Sequence, residues 1–189
     1  MKSAVKTDQL SDEELVSEII KTKDSTLFAI LYDRYAPLVY NKCLGFAKSK
    51  VQAEDLTHDI FIKLYVKLNS FKGTSKFSTW LYSFTYNFCV NFVQRDSYKN
   101  KEETNEGAIN NRASVVDEIT DNDILKLKAE KLQQALSIID PKDKMILLMK
   151  YQDDLSIKEL QTALDIGESA VKMRLKRAKE KVIETYNKL

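Results

Sequence analysis

Chain punctuation is scarce in this sequence: 189 residues contain only 4 glycines and 2 prolines. An all-β sandwich or barrel needs many tight turns, so these numbers exclude it and predict a helical chain. Cysteine is equally sparse. Cys43 and Cys89 are far apart and lie inside apolar helical patterns, which leaves neither a disulfide framework nor a metal-ligand spacing. Both are read as small buried apolar side chains. A single histidine leaves imidazole-based metal or acid/base chemistry little material, and neither a metal nor a cofactor is expected. No apolar run reaches the roughly 18 to 20 residues that span a bilayer. The opening Met1 to Asp8 has no signal-peptide core, so a cytoplasmic location is expected. Charge of one sign is lacking too: 30 basic and 28 acidic side chains leave a net +2, which at first sight argues against a nucleic-acid partner.

That average conceals a division. Residues 1–96 carry a net +2, 97–123 a net −4 and 124–189 a net +4. The middle segment is polar and acidic, with only Ala113 to Val116 able to bury anything, and reads as a flexible linker. Two domains on such a tether can engage two sites at once. The expected fold class is therefore all-α, with small helical domains at 1–96 and 124–189 joined by a flexible acidic linker at 97–123.

In the first part, Ser11-Asp12-Glu13-Glu14 is a capping box that opens a short helix, with Leu15, Ile19 and Ile20 on one face. After Asp24 a long pattern runs through Phe28, Leu31, Tyr32, Tyr35, Leu38, Val39 and Cys43, interrupted by Pro37, where a kink or a break is compatible with the pattern. A third helix is predicted from Ala53 to Leu68, with Leu56, Ile60, Leu64 and Val66 to Leu68 inward. A fourth, Phe77 to Arg95, carries Trp80, Tyr82, Phe84, Tyr86, Phe88 and Phe92 on nearly every side. Two readings fit it: a central helix wrapped by its neighbours, or a partly free aromatic surface for stacking on unpaired bases, worth about 1 to 3 kcal/mol per base.

The last part predicts a helix from Asp123 to Ile139, then Asp140 as a cap and Pro141 at the first position of the next helix. Ser156-Ile157-Lys158-Glu159 is a second capping box. It opens a short helix that ends at Leu164, and Asp165-Ile166-Gly167 turns the chain into a final helix reaching about Tyr186. Short helix, glycine-containing turn and longer basic helix form the helix-turn-helix pattern. At about 100° per residue, Val171, Leu175, Ala178 and Val182 share an apolar stripe. Met173, Lys176 and Arg177 fall opposite, with Lys172, Arg174 and Lys179 on the flanks. Such a helix can neutralise phosphates and place Arg or Lys on guanine edges, while Met173 can meet a thymine methyl.

Two runs of the first part, Ala53 to Tyr65 (AEDLTHDIFIKLY) and Phe71 to Tyr82 (FKGTSKFSTWLY), resemble region 2 of bacterial RNA polymerase sigma factors. Leu155 to Leu160 (LSIKEL) and Gly167 to Ala178 (GESAVKMRLKRA) resemble their region 4. The ordered pair, with a short linker in place of a larger central domain, is similar to the compact extracytoplasmic-function (ECF) group. The resemblance implies a transcription initiation factor, not an enzyme, that binds core RNA polymerase through the beta-prime clamp helices and the beta flap. It further implies recognition of promoter DNA at −35 and −10 elements, and restraint by an anti-sigma factor that is commonly membrane-associated. Polymerase docking is carried over to Asp55, His58, Asp59 and Phe61; His58 stands where the family usually has Gln, and Asp59 where Glu is common.

Melting at −10 is carried over to the loop Lys72, Gly73, Thr74, Ser75, Lys76, Phe77 and Ser78, together with Arg95. Trp80 is expected in the core. Asn87 and Asn91 either bond to bases or satisfy local groups. Reading of −35 falls to Ser169, Lys172, Met173, Arg174, Lys176 and Arg177. A DNA-binding regulator that works without polymerase would explain the final helix but not the runs Asp55 to Phe61 and Phe71 to Tyr82. A helical adaptor that never touches DNA would need the basic helix to be an ordinary solvated face.

Overall fold

A computed structural model describes residues 10–101 and 127–189; most of the predicted linker lies outside them. The described residues hold eight α-helices and no strand. The chain packs as two compact units, one ending at Cys89 and the other starting at Val90, so the division falls inside the fourth helix.

The first unit opens with α1, Asp12–Thr22, whose capping box is complete: the Glu14 N–H donates to Ser11 Oγ and the Ser11 N–H to Glu14 Oε2 at 2.9 Å. The Ser11 N–H and, with it, the Ser11 hydroxyl donate to Glu14 Oε2 and hold that carboxyl below its ordinary range. Lys23, in the left-handed region at φ 56°, ends the helix. The second helix, α2, is Ser25–Leu44, capped by the Asp24 carboxylate on the Thr26 N–H at 2.8 Å. Pro37 sits inside it without ending it. Ser49 caps α3, Lys50–Lys67, which starts before the predicted Ala53 and passes into a tight turn, Leu68–Ser70. After a loop, α4 runs Phe77–Lys101, six residues beyond the predicted Arg95 and into the segment read as linker.

Leu15, Ile19, Leu31, Val39, Leu56, Ile60, Leu64, Phe77, Leu81 and Tyr86 form the core of this unit. Three positions predicted inward are not there: Leu38 and Lys67 are exposed and Val66 is 71% exposed. Apolar periodicity alone cannot tell a core stripe from an apolar stripe facing water. Cys43 and Cys89 are buried free thiols with their sulfurs 3.9 Å apart. Lys42 is buried as well, its ammonium 3.8 Å from the centre of the Tyr82 ring, an arrangement that replaces part of its lost hydration. The aromatic sides of α4 are largely wrapped. Tyr86 is fully buried, and Trp80, half-buried, packs against Phe71, Phe77 and Phe84 at centroid distances of 5.5, 5.9 and 5.6 Å.

In the second unit α5 is Ala129–Ile138, shorter at its start than predicted, and residues 123–126 lie outside the described ones. Asp140 caps α6, Pro141–Leu147, by accepting from the Lys142 N–H at 2.8 Å, with Pro141 at the first position. A wide turn, Leu148–Gln152, leads to α7, Ile157–Leu164, whose capping box pairs Ser156 with Glu159. The last helix, α8, is Glu168–Lys188. It packs against α5, α6 and α7 at once, burying Val171, Leu175, Ala178 and Val182, the predicted stripe. An ion pair from Lys181 to Asp143 and the Lys131 ammonium, 4.4 Å from the Tyr186 ring centre, fasten its far end.

Between α7 and α8 the chain turns at Asp165, Ile166 and Gly167, as expected. The left-handed residue is Asp165, at φ 52°. Aspartate tolerates that region better than most side chains. Gly167 has φ −68° with open space where a Cβ would be, and is the N-cap of α8.

Candidate nucleic-acid and polymerase interfaces

Three surfaces gather the residues singled out by the sequence. On α8 the four buried apolar side chains fix the helix rotation, so Ser169, Lys172, Met173, Arg174, Lys176 and Arg177 are all exposed. Lys172 pairs with Glu168 one turn earlier, which holds that carboxyl below its ordinary range. The pair is exposed, so phosphates can displace Glu168 at little cost. The rest of the face is cationic around Met173, which is 49% exposed.

The loop between α3 and α4 forms the second surface. Its near end is pinned by Phe71, whose N–H donates to the Leu68 carbonyl and whose ring packs on Phe77 and Trp80. Lys72, Gly73, Thr74 and Lys76 are exposed; Ser75 and Ser78 are half-buried. Gly73 has φ +68°, a conformation that side-chain-bearing residues rarely adopt. Phe77 does not belong to this surface: it is fully buried against Tyr35, Phe71 and Trp80, because it starts the core-facing stripe of α4. Asn87, Asn91 and Arg95 are exposed at four-residue spacing, hence on one face of α4. Asn87 reaches Ser83 Oγ only at 3.4 Å, which leaves most of its amide free for other partners.

The third surface is the outer side of α3. Asp55, His58 and Asp59 are exposed there. Phe61 is not: it is 3% exposed, with its ring 4.5 Å from Tyr32 and 6.4 Å from Phe28. Its side chain cannot meet a partner without unpacking α2 from α3. In its place the surface offers Val51, Ile62, Tyr65 and Val66, exposed by 66%, 66%, 41% and 71%. Sequence patterning assigns none of the four to a partner and places Val66 inward. A signal existed: Ile60, Phe61, Ile62, Leu64, Tyr65 and Val66 occupy more sides of α3 than one core can bury. Among the described residues no group of His, Cys, Asp or Glu is placed to hold a metal ion, and no helix is long and apolar enough to cross a membrane.

Comparison with known proteins follows the same division. The family model for Sigma-70 region 2 matches residues 31–98 and the one for Sigma-70 region 4 matches 129–182, which together define a sigma-70 type of initiation factor. SigW of Bacillus subtilis, an ECF RNA polymerase sigma factor, is 30% identical over 85% of this chain and 89% of its own. The ECF sigma-E factor of Escherichia coli K12 is 28% identical over 93% and 94%. The chain belongs to the ECF sigma factors of the sigma-70 family.

Among solved structures, CnrH in complex with the cytosolic domain of CnrY superposes with a TM-score of 0.60 at 15% identity, covering 92% of this chain and 95% of that one. The sigma factor RpoE of Bartonella quintana, in complex with the anti-sigma factor NepR, gives 0.57 at 17%, covering 85% and 96%. These two show the fold. As a sigma factor the chain is a transcription initiation factor that directs RNA polymerase to promoters, and sigma factors are not an enzyme family.

Proposed function

We propose that the three surfaces divide the work of initiation. The face of α8 around Lys172, Met173, Arg174, Lys176 and Arg177 enters the major groove at the −35 element. There its cations release counterions from the phosphates and its longer side chains reach base edges. The loop from Lys72 to Lys76, with Ser78 beside it and Asn87, Asn91 and Arg95 on the adjoining helix face, takes an unpaired base of the −10 element. An extruded base loses a few kcal/mol of stacking and pairing, which contacts on the open strand must offset. A glycine in the left-handed region with nothing over it lets the strand come close to the backbone. The apolar strip of α3, with Asp55, His58 and Asp59 interspersed, docks on the clamp helices of the polymerase beta-prime subunit, and the second unit meets the beta flap. In this reading the boundaries 1–96, 97–123 and 124–189 separate melting and docking, tether, and −35 reading. The chain works in the cytoplasm and adds no covalent step; all bond making belongs to the polymerase.

The observation that carries this reading is the segregation on α8: every residue assigned to DNA is exposed, and the stripe opposite is buried. RpoE is seen with the anti-sigma factor NepR, which supports an anti-sigma factor as the regulator of this chain too. Transcription by core polymerase reconstituted with the purified protein, on promoters recovered from genomic DNA, tests the function. Failure of the protein to co-elute with core enzyme, or absence of promoter-specific transcripts, overturns it.

A further inference from the structure

Five helices are capped by a side chain just before their first residue, from Ser11, Asp24, Ser49, Asp140 and Ser156. Helix α4 is preceded instead by Lys76, whose side chain has no acceptor for the first N–H groups. Twenty-five residues of helix therefore start without a local cap. The missing acceptor comes from elsewhere: the Phe77 N–H donates to Glu13 Oε1 at 2.9 Å, across 64 residues of sequence. Glu13 lies in the first turn of α1, and its negative charge also suits the positive end of α4. At the other end of α1, Lys23 Nζ donates to Asn69 Oδ1 at 3.0 Å, in the tight turn just before the loop. One helix thus holds both stems of the Phe71 to Lys76 loop. It is itself tied down: Asp12 accepts from Arg34 Nη1 at 2.9 Å and from the Tyr35 hydroxyl, and burial together with that bond pushes the Tyr35 pKa up. Residues 12–22 precede the segment matched by the region 2 family model, which starts at residue 31.

We infer that α1 is a brace for the melting loop and that Glu13 is a positioning residue for promoter opening, acting through the start of α4. The inference rests on the assignment of the loop to −10 melting. Opening requires the loop to be waiting in the shape that receives an extruded base; a loop with one loose stem spends part of its time in other shapes, and binding is weakened by that fraction. Glu13 is exposed and outside the core, so its removal loosens the stem without unfolding the unit.

Trp80, the sole tryptophan, sits in the first turn of α4 against Phe71 and Phe77 and reports on this region in the full chain. In reconstituted holoenzyme, with 2-aminopurine in the non-template −10 strand, Glu13→Ala is expected to lower the open-complex signal about fivefold, the loss of one cap. Co-elution with core enzyme should be unchanged, and Trp80 emission in the free protein should shift to the red. Glu13→Gln keeps the acceptor oxygen and is expected to restore opening to within about twofold, since the hydrogen bond survives. Asn69→Ala should give a smaller loss of the same kind. A double variant of the loop, Lys72→Ala with Lys76→Ala, separates the two ideas. If it reduces opening while Glu13→Ala does not, the brace is overturned and the loop assignment stands. If neither reduces opening, the loop assignment falls and the brace with it. A defect in Glu13→Ala with unchanged Trp80 emission, or with no recovery in Glu13→Gln, also overturns the positioning role.

Discussion

Helices α3 and α8 each bury one stripe in their own unit and present the opposite one, yet what they present is opposite in kind. Outward on α8 are Lys172, Arg174, Lys176 and Arg177, with Met173 the only exposed large apolar side chain among them. Outward on α3 are Val51, Ile62, Tyr65 and Val66, among the carboxylates Asp55 and Asp59 and the imidazole of His58. A charged face suits a polyanion that stays hydrated until the moment of contact. An apolar face suits a protein partner that covers it for long periods, because exposed apolar strips are otherwise a liability.

The sharpest test of this contrast uses two neighbours on α3. Phe61 is buried against Tyr32 and Phe28, and Ile62 is exposed, whereas the family resemblance assigned the docking role to Phe61. Phe61→Ala is expected to destabilise the first unit by about 3 to 5 kcal/mol, read by urea unfolding followed through Trp80. Ile62→Ala should change the same transition by less than about 0.5 kcal/mol, as surface substitutions do. Equal effects would show that exposure does not divide the two.

Next in size is docking. Ile62→Asp with Val66→Asp puts charges into the apolar strip and should weaken binding to core polymerase by a hundredfold or more, on the scale of about 2 kcal/mol for each central side chain of an interface. DNA binding by the second unit should be untouched. If the variant co-elutes with core enzyme as the parent does, the apolar face of α3 is not the docking face.

On α8 the matching experiment is Lys176→Ala with Arg177→Ala. Each phosphate contact contributes about 0.9 to the slope of log affinity against log salt. Removing both side chains should lower that slope by about 2 if both meet phosphates, and by less if one sits on a base edge. Promoter affinity should fall roughly tenfold at moderate salt, about one unit of log affinity for contacts of this strength. An unchanged slope and unchanged transcription would remove these two residues from the reading face.

The same contrast explains how much of the molecule is legible in its sequence. Capping boxes at Ser11 and Ser156, the Asp140-Pro141 start and the stripe Val171, Leu175, Ala178 and Val182 are local patterns with one physical meaning each, and all four are in the structure. Charge is nearly as direct: a cation on a helix is rarely buried, Lys42 over the Tyr82 ring being an exception here, so the α8 face is legible. Apolar residues carry no such label. Periodicity marks a stripe without saying what covers it, which is why it places Val66 and Leu38 inward and raises no objection to an outward Phe61. Invisible for a different reason is Glu13 on the Phe77 N–H, since a bond across 64 residues leaves no local pattern.

The smallest expected effect concerns how the two helices begin. The Ser49 hydroxyl accepts from the Gln52 N–H at 3.1 Å and caps α3, whereas α8 starts on Gly167 with no side-chain cap. Gly167 needs no glycine conformation, and a Cβ there meets nothing. Gly167→Ser should therefore supply the missing acceptor and stabilise the start of α8 by a few tenths of a kcal/mol, since Gly is only about that much worse than Ser at an N-cap. Ser49→Gly should weaken α3 by the same small amount. Amide hydrogen exchange in the first turn of each helix reads both changes, as slower exchange in α8 and faster exchange in α3. Ser169 and Lys172 lie within the first two turns of α8, so a firmer helix start should also leave −35 affinity equal or slightly higher. A drop in affinity would instead mean that DNA approaches the Gly167 backbone too closely for a side chain, giving this glycine a role in contact that its conformation does not show.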